Sequence, residues 1–138
     1  MITKIKKSHF SFLAAIAGLC LLLSACSGVV ASVGTDLGTL EFGRPYNQTS
    51  YGANVTTNCI VPVRWADNQP MSDYDLNYII QSGVTLRSQG VPRYLANMPL
   101  TFAEDPWEWA LAFGDCREGH EVFLIWPGED AVSLGEVE

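Results

Sequence analysis

The apolar run from Phe10 through Leu23 ends in Ser24-Ala25-Cys26, and that ending decides how much of the chain is left to fold. Lys4, Lys6 and Lys7 precede the run, and only Ser11 and Gly18 interrupt it. A basic start, an apolar middle and a small-residue exit make a secretory signal. The run is shorter than the roughly 20 apolar residues that a membrane-spanning helix needs, so residues 1–25 are expected to be removed rather than retained. Residues 26–138 then form the mature chain, a length that suits one small domain with one core.

Leu23-Ser24-Ala25-Cys26 resembles the bacterial lipobox, in which small residues precede a cysteine that receives diacylglycerol before the signal is cut. On that reading Cys26 becomes the N-terminus and carries diacylglycerol and an N-acyl chain, the one covalent group expected. Each buried methylene adds about 0.8 kcal/mol, so several chains anchor far better than one. Ser27 follows, not the Asp of an inner-membrane retention signal, which points to the outer membrane with the domain facing the periplasm.

All three lysines lie in the signal, so the mature chain keeps only Arg44, Arg64, Arg87, Arg93 and Arg117 against 15 acids, a formal net charge of −10. Nucleic-acid binding needs a basic footprint, and this chain has none. Attachment to anionic lipid by surface charge is disfavoured for the same reason, which leaves anchoring to the acyl chains.

With Cys20 in the signal and Cys26 capped by lipid, Cys59 and Cys116 remain, and a residual pair in an exported chain is most simply a disulfide. Closing such a loop stabilises a fold by about 4 kcal/mol in the chain-entropy model. The pair Cys116 and His120 has metal-ligand spacing, but Gly119 interrupts a helix there and a closed site wants three or four ligands. Neither a metal nor catalysis is expected. Glu104 with Glu108, or Asp115 with Glu118, could be cast as glycosidase carboxylates, yet dipole-favourable caps or a solvated face explain them better. His120 is the sole mature histidine and stands beside no nucleophile motif, and no small-molecule substrate is indicated.

Residues 26–58 are rich in Gly, Ser, Thr and Asn and read as the lipidated end and a flexible tether, within which Leu37, Leu40, Phe42 and Tyr46 retain something to dock. The folded domain is expected over 59–138. Val61, Val63 and Trp65 alternate as in a strand with one buried face, and Pro62 places that strand near an edge or at its start. Ser72 or Asp73 caps a helix to about Ser82 with Gly83 to stop it, and VTLR and PLTFA read as strands. Asp105-Pro106 reads as the start of a second, all-round apolar helix through Trp107 and Cys116. EVFLIW and AVSL, joined by a turn at Pro127-Gly128, complete an α+β fold of two helices packed on one face of a small mixed sheet.

VPVRW, a helix ending in IIQSGVTLRSQG, and PLTFAEDPWEWALAFGDCREGHEVFLIWPGEDAVSL together resemble the small secretin-type domain, in the layout of the DotD/TraH family of type IVB secretion and conjugation lipoproteins. The resemblance implies a structural role: a lipid-anchored subunit that docks on secretion-channel ring proteins and assists assembly. It supplies no active site. Contact residues are expected among aromatic and arginine side chains that a small domain does not easily bury: Trp107, Trp126, Tyr94 and Arg93.

The competing reading is a periplasmic binding or inhibitor lipoprotein that captures a basic partner such as lysozyme, which a charge of −10, a disulfide and an anchor would suit. Known inhibitors of that kind resemble antiparallel barrels and use a Lys, whereas EDPWEWALAFGDC reads as helix and the mature chain has no Lys. An entry-exclusion lipoprotein is a third reading.

Overall fold

The computed structural model describes residues 28–138; Cys26 and the signal lie outside the described residues. The described chain is mostly β, with ten strands and one short helix in two antiparallel sheets. The expected α+β arrangement of two helices on a mixed sheet is therefore corrected.

The segment expected to be a tether is itself folded into strands. Strands β1 (Val29–Thr35) and β2 (Gly38–Gly43) form a hairpin, and β3 (Tyr46–Ser50) follows at once. Ala31, Val33, Leu40 and Phe42 alternate inward along the hairpin and are buried. Four apolar side chains at period two are enough to dock a strand pair, even in a segment whose other residues are small and polar.

β4 (Thr56–Trp65) is the spine of the larger sheet. One side pairs with β8 (Trp109–Gly114), which pairs in turn with β7 (Leu95–Phe102). The other side is shared: β3 covers residues 56–60 and β2 covers 63–65. Pro62 thus lies within a central strand rather than near an edge, and it is tolerated because neither β2 nor β3 pairs with residues 61–62. A residue without an N–H fits where the ladder is already interrupted. Gly43 packs against it so closely that a Cβ there would lie 3.0 Å from the Pro62 ring and 3.1 Å from Trp107.

The second expected helix is β8. Leu111 and Phe113 point into the core between the sheets, while Ala110 and Ala112 pack on the opposite face with Ile60, so both faces of the strand are covered. A short apolar run covered on both sides has no polar face to betray its period, which is why it reads as a core helix. Asp105-Pro106 forms a turn instead of a helix start, closed by the Trp107 N–H donating to the Glu104 carbonyl at 2.9 Å.

The helix of the described residues, α1 (Asp73–Gln81), matches its expected position. Ser72 caps it through a reciprocal box with Asp75, and Gly83 follows with φ of +86°. Leu76 and Ile79 are its buried residues. β5 (Thr85–Ser88), β6 (Val91–Arg93), β9 (Glu121–Ile125) and β10 (Val132–Glu136) form the smaller sheet in the order β10-β9-β5-β6. Leu86, Val122, Leu124 and Leu134 join residues of the larger sheet in one continuous core.

Cys59 and Cys116 are joined by a disulfide that ties β4 to the segment leaving β8. Asn47 of β3 completes the corner: its amide nitrogen donates to the Cys116 carbonyl, and its oxygen accepts from the Cys116 N–H at 3.3 Å.

Candidate functional site

The four expected contact residues separate into two kinds. Trp107 is only 8% exposed and Trp126 only 6%, so neither projects as an anchor. Trp107 lies under the Arg64 guanidinium, 4.5 Å from its ring centre, and Arg64 is itself paired with Glu41 at 3.1 Å. That stack lies beside Gly43 on the face of the larger sheet turned away from the shared core. Tyr94 is 66% exposed, and Arg93 beside it reaches Asp115 at 3.6 Å. Val91, Met98 and Phe102 are also exposed along β6 and β7, and Phe102 stacks on Trp109 with ring centres 4.9 Å apart.

Trp126 belongs to a different setting. It forms part of a groove of about 610 Å³ between α1, the β1–β2 turn and the β9–β10 turn. Tyr74, Asn77, Tyr78 and Gln81 recur at helical spacing and line one wall. Asp36 comes from the β1–β2 turn, and Pro127 and Glu129 from the β9–β10 turn. Tyr78 lies against Trp126 with ring centres 6.3 Å apart at a tilt of 36°. The groove has aromatic faces, two amides and two carboxylates, and among the described residues no Arg or Lys lines it.

In the fold Leu76 and Ile79 are the buried pair and Tyr74 faces solvent. The repeat at 74, 77, 78 and 81 was the available signal for the groove wall. Nothing in the sequence alone brings Asp36 or Glu129 to it, because both arrive from hairpin turns distant along the chain.

A second concavity of about 770 Å³ lies on the outer face of the larger sheet, where Gly28, Arg44, Tyr46, Glu104, Trp107 and Glu138 meet. Burial, and next the charge of Glu104, push the Tyr46 phenol above its ordinary value. Arg44 is held by Glu138 at 3.2 Å, so this surface carries its own counter-charge.

Thirteen of the 15 carboxylates are exposed, whereas three of the five arginines lie against carboxylates. The field around the domain is negative. No family model matches the chain, and no match to it is found among curated proteins or solved structures.

Proposed function

We propose that the protein is a lipid-anchored binding module of the bacterial outer membrane that captures a cation-rich protein partner, with lysozyme as the type of such a partner. The observation that carries this reading is the exposed, largely uncompensated negative charge of a mature chain with five arginines and no lysine. Such a field raises the encounter rate with a basic protein and repels acidic ones.

The fold bears on the two competing expectations in opposite ways. Docking on a secretion channel was inferred from an order of elements that included a helix over Trp107 and Cys116, and a strand in that place removes its support. The same helix was the structural objection to a capture lipoprotein, and an antiparallel β-domain with a disulfide removes that objection. The reading does not lean on any known inhibitor's residues, since the Lys they use has no counterpart here.

Anchoring at Cys26 fits the start of the fold. β1 begins at Val29, three residues on, and three extended residues span at most about 11 Å. Capture would take place at the membrane surface, not at the end of a long tether.

The test is affinity purification of the full chain from its native membranes in mild detergent, comparing the natural sequence with Cys26→Ala. The reading predicts a soluble basic protein that elutes as salt is raised, and loss of the membrane association of the complex in the variant. Recovery of a secretin-like or conjugation-channel ring would overturn it.

A further inference from the structure

We infer that the groove bounded by Asp36, Tyr74, Tyr78, Trp126 and Glu129 is the contact site for the partner, and that it receives lysine or arginine side chains. The inference rests on the capture reading and adds to it a place and a chemistry.

Three observations converge on this groove. Its lining pairs aromatic faces with carboxylates and, among the described residues, contains no cation. A guanidinium or ammonium over the ring of Tyr74 or Tyr78, with a carboxylate beside it, gains from ring and charge together, whereas an anionic ligand is repelled by Asp36 and Glu129. Next, Gln81 and Ser82 bring the C-terminal end of α1 into the lining at one end of the groove, and its last turn has no basic residue. The negative end of the helix dipole is therefore left for an external cation to complement.

The third is position. β1 starts at Val29, close to the expected anchor, and its other end, Gly34 and Thr35, lines the groove. A seven-residue strand at about 3.3 Å per residue separates the two by about 20 Å. The groove thus lies away from the anchored end. The concavity on the outer face, by contrast, includes Gly28 at the anchored end and holds Arg44 and Arg64-backed Trp107 nearby.

A groove of about 610 Å³ exceeds one side chain and suits a short basic segment whose amide groups are met by Asn77 and Gln81. The two amides lie close to each other, with the Gln81 amide donating to the Asn77 oxygen at 3.3 Å.

The experiment uses the full chain in zwitterionic detergent micelles with indole-¹⁵N tryptophan, titrated with a hexa-arginine peptide and separately with a neutral N-acetylglucosamine oligomer. The Trp126 signal is identified as the one missing in Trp126→Phe. Two double variants remove the same charge from different places: Asp36→Asn with Glu129→Gln at the groove, and Glu104→Gln with Asp105→Asn on the outer face.

The peptide is expected to move the Trp126 indole signal. Loss of the groove carboxylates should weaken binding roughly tenfold at low salt, from two charge contacts each contributing several-fold, while the outer-face pair changes it by less than about twofold. Tyr78→Leu should weaken it further by about threefold through the lost ring face. Equal weakening by the two double variants would mean capture by net charge alone, which overturns the groove assignment and leaves the capture reading standing. Movement of Trp126 by the neutral oligomer but not the peptide also overturns the assignment. Failure of the natural protein to bind the hexa-arginine peptide at low salt overturns the capture reading itself.

Discussion

Asp75 links helix and sheet through one carboxylate. It accepts from the Ser72 N–H at 3.0 Å and from the Trp65 indole at 3.1 Å, and these bonds, the backbone one foremost, hold its pKa below the ordinary value. A lowered carboxylate stabilises the fold fully above its unfolded pKa and loses that contribution as pH falls through the lower folded value. Asp75→Ala is accordingly expected to melt below the natural protein at neutral pH, with the gap narrowing in melts recorded progressively below pH 3.8. Gly43 makes a steric prediction. A methyl there meets Pro62 and Trp107 within 3.1 Å, so Gly43→Ala should lower stability in urea denaturation by about 1–3 kcal/mol, the usual range for overpacking. Gly52→Ala, with open space around it, should show no such loss. The cap at Ser72 was legible in sequence because its partner is three residues away. Gly43 was not, because its reason for being glycine is Pro62 on another strand.

At the scale of elements, the local signals held and the ambiguous ones did not. The helix over Asp73–Gln81 announces itself by a capping box and a terminal glycine, and EVFLI by its length and β-branched character. WALAFG offered a different clue: Ala and larger residues alternate as Ala110, Leu111, Ala112, Phe113, which is period two in size although uniform in polarity. Size alternation distinguishes the two faces of a strand, small against the outer cluster and large against the inner core. The hairpin of β1 and β2 is hard to read because small polar residues dominate the segment; Leu40 and Phe42 stand out as able to dock, but their pairing with Ala31 and Val33 across a turn is not local in sequence. Cys59 and Cys116, the two cysteines after Cys26, pair as expected. The disulfide joins residues 57 apart, so Cys59→Ala with Cys116→Ala should cost about 4 kcal/mol, measured as a lower denaturation midpoint that reductant no longer changes. Asn47→Ala should cost less, about 1–3 kcal/mol, through the two unsatisfied Cys116 backbone groups it leaves.

For the whole molecule, the sequence carried the sign and size of the charge, and the fold determines how that charge is displayed. Thirteen of the 15 carboxylates are exposed, three of the five arginines are drawn into pairs, and the groove, lined by no cation among the described residues, lies at the far end of the strand that begins at Val29. None of that placement is local in sequence: Asp36, Tyr78 and Glu129 meet only because two hairpin turns and a helix converge. Capture driven by a negative field makes a kinetic claim that purification alone does not address. The decisive measurement is the association rate of lysozyme with the full chain in neutral micelles as salt is raised from about 0.01 M to about 0.15 M, over which the Debye length shortens from about 30 Å to about 8 Å. Electrostatic capture predicts ready association at low salt and a fall of about tenfold or more across that range. No association at low salt, or a rate indifferent to it, would contradict the account.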